Sequence, residues 1–249
     1  MRLRETRALA SLVVLLAVLG AAGCQSLFRQ FEYEEEIYVK LNGQATMVVN
    51  ASIPALIALR GFKLDASPNA AVDRERIRAL YDSPVTHARV GTVWRRNGRR
   101  YVQIRIDVDD IRRLSEAQPF NWSTYQFASD TQTDGEIYHY TQTMRDVAGT
   151  PPPGVNWDGS ELVAVRLHLP SRIEFHNASH GVERGNILSW EQSLRERLQG
   201  KPIQIDVRMQ AQSILYRTLT VFGLALTAAL AVMGGIVVWV RNKGRAATV

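Results

Sequence analysis

Apolar positions along this chain fall into three regimes. Near the start, residues 8–19 form an apolar stretch behind the basic residues Arg2, Arg4 and Arg7. Near the end, residues 218–240 run without a single charge and are followed at once by Arg241, Lys243 and Arg245. Between them, apolar and polar residues alternate in short runs. That is the period of strands whose two faces meet different surroundings.

Two hairpins stand out. Residues 36–41 alternate, Asn42-Gly43 turns the chain, and residues 44–50 return. Residues 89–95 do the same, turning near Asn97-Gly98 into residues 100–108. Asn-Gly suits such turns because both residues tolerate positive φ. In the second return strand Val102, Ile104, Ile106 and Val108 share the predicted core face, and Tyr101, Gln103, Arg105 and Asp107 share the other. Helices are expected over residues 53–60, with Pro54 in the first turn, and over residues 73–80 behind an N-terminal acid. A short helix capped by Asp109 or Asp110 is expected over residues 109–116. Further strands are predicted over residues 122–128, 136–144, 162–169, 186–191 and 203–209. The run Gly149-Thr150-Pro151-Pro152-Pro153-Gly154 reads as an extended surface loop. The whole predicts an α+β domain, an antiparallel sheet with a few short helices on one side. Its last strand leads through residues 210–216 into the C-terminal helix.

The two ends change the picture from a soluble domain to a tethered one. A cationic start, about a dozen apolar residues and a small-residue tail describe a secretory signal. That tail ends in Gly20-Ala21-Ala22-Gly23-Cys24, the arrangement of a bacterial lipoprotein signal with Cys24 as the acylated residue. Ala21 stands where such signals favour a leucine-like residue. An ordinary signal peptide and an uncleaved anchor are the alternatives. The C-terminal stretch is long enough to cross a hydrocarbon core of about 30 Å at about 1.5 Å per residue. Tyr216 and Trp239 sit near its ends, where headgroups lie. The dense cations beyond Val240 predict a cytoplasmic tail, and the basic N-terminus agrees. The expected divisions are residues 1–23 (signal), 24–215 (extracytoplasmic domain), 216–241 (transmembrane helix) and 242–249 (tail). Ala231 and Gly235 form one small-xxx-small pair for close helix approach. The formal charge of +6 sits partly at the two ends and so reports topology. A lone cysteine excludes an intramolecular disulfide and thiolate-rich zinc sites.

Few residues invite chemistry. His176 and His180 are four apart, the spacing of a zinc-binding helix, but Asn177 occupies the place of the required Glu and the segment reads as a turn. His87, His139 and His168 lie singly in strand-like settings. Asp107, Asp109 and Asp110 lack the Gly and distant Glu of a calcium loop, so helix capping explains them. Glu34, Glu35 and Glu36 read as a solvated strand start. No phosphate loop, nucleophile elbow or Ser-x-x-Lys pattern is present. No metal or other cofactor is expected. Arg95, Arg96, Arg99 and Arg100 surround a hairpin tip beside Trp94 and Tyr101, a candidate site for an anionic headgroup. Nucleic acid is not an expected partner of a domain outside the cytoplasm.

The order of features resembles the LppM-like family of bacterial lipoproteins. The residues that carry it are Cys24, the hairpin with Asn42-Gly43, and Val108-Asp109-Asp110-Ile111-Arg112-Arg113-Leu114. Later come His176-Asn177-Ala178 and Gly185-Asn186-Ile187-Leu188-Ser189-Trp190-Glu191. The resemblance implies a lipidated cysteine, an extracytoplasmic α+β domain and a C-terminal membrane helix. It also implies handling of lipid or glycolipid at the cell envelope, and it supplies no catalytic residue. The leading expectation is a non-enzymatic, membrane-tethered envelope protein with a concave apolar surface for a lipid or a protein partner. The alternatives are a structural or assembly factor for another membrane protein, and an envelope hydrolase using His176, His180 or the aspartates.

Overall fold

The computed structural model describes residues 29–132, 135–145 and 147–246. The expected signal and Cys24 lie outside the described residues. Within them the hairpins form where the turns predict. Strand β1 (Phe31–Val39) pairs with β2 (Ala45–Ser52), Val39 opposite Ala45. Strand β3 (Thr86–Arg96) pairs with β4 (Arg99–Val108), and Asn97 (φ 49°) and Gly98 (φ 72°) both take the left-handed conformation that a two-residue turn requires. Val102, Ile104, Ile106 and Val108 are buried, as their alternation predicts.

Two sheets form, not one. The first has six strands in the order β3-β4-β2-β1-β7-β9, with β7 at Leu162–His168 and β9 at Ile187–Ser193. All its pairs are antiparallel except β1 with β7, which run parallel. The second has four antiparallel strands in the order β5-β6-β10-β8. These are β5 (Ser123–Gln132), β6 (Gly135–Met144), β10 (Ile203–Ser213) and β8 (Ser171–His176). Alternation reveals which side chains turn inward but not which strands share a ladder, so the division into two sheets was not readable. Strand β8 escaped the pattern because its register with β10 breaks twice and Phe175 faces out. His176 therefore ends a strand instead of lying in a turn.

The helices follow their caps. Helix α1 (Ile53–Arg60) starts where Ser52 Oγ accepts from the Ala55 amide at 3.1 Å and stops at Gly61, whose φ of 67° the absent Cβ permits. Helix α2 (Arg74–Tyr81) is capped by Asp73 and buries Ile77 and Tyr81. The helix expected at residues 109–116 is a 3₁₀ helix over Ile111–Glu116, capped by Asp110. The Arg112 side chain holds the Asp110 carboxyl below its ordinary range. A short helix α3 (Leu194–Leu198), not anticipated, follows β9 behind Ser193. Helix α4 (Ile214–Ala246) continues β10 directly. Within its stretch Ile214–Val240 an 18-residue window has a mean hydropathy of 2.4 and no buried residue, and by length and composition the stretch suffices to cross a membrane.

One apolar cluster joins both sheets, with Ile37, Met47, Ile104 and Val165 from the first and Phe127, Tyr140, Ile205 and Val207 from the second. A charge pair lies inside it. Arg60 ends α1 and donates to Glu35 Oε1, to the Tyr33 hydroxyl and, at 2.6 Å, to the Pro119 carbonyl. Its guanidinium lies 3.8 Å from the Trp122 ring centroid. Burial pushes the Tyr33 phenol well above its ordinary value, so it stays protonated. This corrects the solvated reading of the glutamate run. Glu35 is fully buried, Glu34 pairs with Arg166, and Glu36 accepts from the Tyr38 hydroxyl at 2.8 Å. The reason is topological: β1 is flanked by β2 and β7, so no residue along it meets water through a free strand edge.

Two outcomes follow from this packing. Arg60→Met leaves the Glu35 carboxylate buried without its cation and is expected to cost about 3–5 kcal/mol, whereas adding Glu35→Leu recovers much of the loss. Urea midpoints of the full chain in detergent, read by tryptophan fluorescence, measure both; a double variant no better than the single refutes the charge-pair account. At Gly149 a Cβ would stand 2.0 Å from the Ile57 carbonyl oxygen and 2.8 Å from Gly61 Cα. Both obstacles are backbone, so Gly149→Ala is expected to push the loop off α1 and lower stability by about 1–3 kcal/mol in the same assay.

Candidate functional site

The arginine-rich hairpin tip divides into two halves. Arg95 is exposed, its Nη1 3.4 Å from Asn69 Oδ1, and half-buried Arg96 donates to the Arg29 carbonyl at 3.0 Å. Arg99 and Arg100 are buried. Arg99 Nε lies 3.0 Å from Glu32 Oε1, and its Nη1 donates to the Asn156 carbonyl at 2.8 Å. Burial opposes the Arg99 charge, but the Glu32 carboxylate, the Tyr101 hydroxyl and the Glu161 carboxylate together outweigh it and hold the guanidinium above its ordinary value. Arg100 donates to the carbonyls of Ala70 (2.7 Å), Ala71 (3.2 Å) and Asp65. Burial holds it below its ordinary value. The four arginines therefore do not form one open cationic cluster. Two of them fasten the tip between a loop at residues 65–71 and the proline-rich loop. A cleft of about 580 Å³ remains there, lined by Pro54, Pro68, Gly98, Arg99, Pro152 and Asn156 among others. Trp94 and Tyr101 stack, ring centroids 5.4 Å apart. The Tyr101 hydroxyl donates to Glu32, and burial followed by that bond raises its phenol above the ordinary value.

The other candidates are dispersed. His139 Nε2 sits 2.7 Å from Asp206 Oδ1, His87 Nε2 sits 3.8 Å from Asp109 Oδ2, and the His168 ring stacks on Tyr38 at 3.9 Å. His176 ends β8, and His180 lies in the loop beyond it. Asp107 pairs with Arg89 at 2.7 Å, and Asp110 serves as a cap. Among the described residues, no group of three or more His, Cys, Asp and Glu is placed to hold a metal ion.

A larger concavity lies elsewhere, at the end of the domain from which α4 leaves. Helix α4 begins at the residue after β10, and the Ile214 amide donates to the Pro170 carbonyl at 3.0 Å. Pro170 joins β7 to β8, and Asn186 Nδ2 pins that turn by donating to the carbonyls of Leu169 and Ser171. The registers place Ser171 opposite Ser213 and Ile137 opposite Gln210. The starts of β6 and β8 and the end of β10 thus meet and frame an open groove of about 1040 Å³. Glu136, Ile137, Arg172, Glu174, Phe175 and Arg208 line it, with Gln210 and Gln212. The Arg208 guanidinium lies 5.4 Å from the Phe175 ring centroid. Gln210 donates to Glu174 at 2.6 Å, and Arg172 Nε stands 3.8 Å from the same carboxylate. Beyond α4, the exposed large apolar side chains among the described residues are Tyr38, Phe175 and Val182. Tyr38 pairs across β1–β7 with His168, two residues before Pro170, and Val182 adjoins the Glu183–Ile187 bridge beside the same turn. The sequence hid this groove because its arginines lie on strands 36 positions apart, one of them unrecognised.

No protein-family model matches the chain, and no curated protein matches it in sequence. Among solved structures it is similar to the NMR structure of the folded domain of the Mycobacterium tuberculosis LppM protein. The identity is 10%, the match covers 74% of this chain and 92% of that one, and the TM-score is 0.38. A likeness this distant carries no argument about family, ligand or mechanism.

The division of the hairpin tip is testable. Arg99→Gln strands the buried Glu32 carboxylate and is expected to cost about 3–5 kcal/mol. Arg95→Gln, at an exposed position, is expected to change stability by less than about 0.5 kcal/mol. Equal urea midpoints for the two variants would contradict the assignment of Arg99 to the interior.

Proposed function

We propose that this chain is a non-enzymatic envelope protein, tethered in a membrane by α4, whose extracytoplasmic domain binds lipid or glycolipid at the bilayer surface. One observation carries the tether: α4 is uncharged and exposed from Thr218 to Val240, and it continues from β10 without a linker. Exposed apolar area of that extent calls for a covering, and a helix of 27 residues at about 1.5 Å per residue matches a bilayer. The cations after Val240 favour a cytoplasmic tail, which puts the domain on the other side. The signal-like N-terminus supports the same orientation. Support for lipid handling comes from the base of the domain, where Tyr38, Phe175 and Val182 are exposed. Support for a non-enzymatic role comes from His87, His139, Asp107 and Asp110, which lie on separate elements and serve local pairs and a cap.

A reporter active only in the cytoplasm, fused after Val249, is expected to work in intact cells, and one active only outside is expected to stay silent. The opposite result removes the extracytoplasmic assignment.

A further inference from the structure

The groove beside the start of α4 carries charge of both signs. Arg172 and Arg208 stand in it with Glu136 and Glu174, so its formal charge sums to zero. Among the described residues Arg208 has no carboxylate within ion-pair distance, and its guanidinium rests on a half-exposed Phe175. Arg172 is 68% exposed and only loosely paired, 3.8 Å from Glu174. Glu136 is exposed at the start of β6. These charges are therefore available to a ligand instead of being consumed by one another. The groove also has a fixed address. Ser171, next to Arg172, pairs with Ser213, next to the first residue of α4. Arg208 lies five residues up β10, about 17 Å at the rise of a strand. The groove thus begins at the level where the helix starts and rises away from it, over the depth of a lipid headgroup and somewhat beyond.

We propose that this groove holds the headgroup of a zwitterionic phospholipid, with the phosphate between Arg172 and Arg208 and the ammonium facing Glu136 and Glu174. Guanidinium groups suit phosphate oxygens because their planar donors bond them in pairs. The two glutamates supply the opposite pole, and the Phe175 face offers an apolar wall to the methylenes between the charged groups. A purely anionic headgroup satisfies the arginines but meets both carboxylates as repulsion, so charge complementarity selects the zwitterion. The occupant is a lipid of the bilayer that α4 enters. This inference rests on the tether proposed above but not on its orientation.

The test uses the full chain reconstituted in nanodiscs containing equal phosphatidylethanolamine and phosphatidylglycerol, with the lipids retained on release counted by native mass spectrometry. Both leaflets of a nanodisc are alike, so a failed topology reporter and an empty groove remain separate results. The intact chain is expected to retain phosphatidylethanolamine in preference. Arg208→Gln or Arg172→Gln is expected to lower total retention about two- to fivefold, the scale of one surface charge pair. Glu136→Gln combined with Glu174→Gln is expected to shift the preference toward phosphatidylglycerol, a reversal that misfolding does not produce. Arg76→Gln, at an exposed arginine on α2, is expected to change nothing. Equal retention of both lipids by the intact chain, or glutamate variants with unchanged preference, overturns the proposal. Displacement of the lipid by micromolar soluble O-phosphoethanolamine also overturns it, and assigns the groove to a free phosphorylated amine, because a site that depends on the local concentration of lipid is weak toward the headgroup in solution.

Discussion

Arg60 ends a helix, and its side chain turns into the protein instead of out to water. A guanidinium in that place has to find acceptors, and it finds them on several elements at once: Glu35 and Tyr33 on β1 and the Pro119 carbonyl in the turn before β5. Its flat face lies on Trp122, where the second sheet begins, and the Arg197 guanidinium lies near the same indole, 4.8 Å from its centroid. Cation–π contacts strengthen when water is excluded, so this stack reinforces the hydrogen bonds. The helix, the six-stranded sheet and the entry to the four-stranded sheet are thereby fixed around one charge. Moving any of them exposes a buried ion, which is a steeper cost than losing an apolar contact.

A core organised around charge leaves a particular surface. With Glu32, Glu35, Arg60, Arg99 and Arg100 turned inward, much of the ionic character suggested by the first hundred residues serves architecture. The arginine-rich hairpin is the clearest instance. Adjacent Arg99 and Arg100 are both buried because loops cover both sides of the tip, and those loops offer backbone carbonyls and the Glu161 carboxylate while β1 offers Glu32. At the other end of the domain, where strands from one sheet converge on the start of α4, Arg172, Glu174 and Arg208 stay exposed.

Local signals carried much of this fold in the sequence. Asn97-Gly98, Pro54 in the first turn of α1 and the alternation of β4 each fix a few neighbouring residues, and each is realised. The long apolar run at residues 218–240 predicted a helix long and apolar enough to cross a membrane, and α4 is one. Long-range choices were not legible. Nothing in the spacing of β1 and β7 announces a parallel pair across 122 residues, since parallel and antiparallel ladders accept the same alternation. Glu35 reads as exposed until its partner is known, and that partner is a helix terminus 25 positions away. The groove depends on β6, β8 and β10 meeting, so it had no local signature at all. Cys24 illustrates the reverse case, a local pattern that falls outside the described residues.

The junction between β10 and α4 has a consequence for affinity. A flexible linker between a domain and its anchor lets a binding surface sample a large volume, which dilutes any membrane ligand it meets. Here no linker exists: Ser213 ends the strand, Ile214 begins the helix, and its amide is bonded to Pro170. The turn at Pro170 is held in turn by Asn186. A helix that enters a bilayer from this junction keeps the neighbouring groove within one short span of the headgroups. For the headgroup site proposed above, weak contacts would then suffice for high occupancy, because the local concentration of lipid replaces intrinsic affinity. Four partly exposed charges and one aromatic ring make a poor trap for a dilute soluble molecule. Beside a surface built of headgroups, the proposed site needs no more than those five side chains.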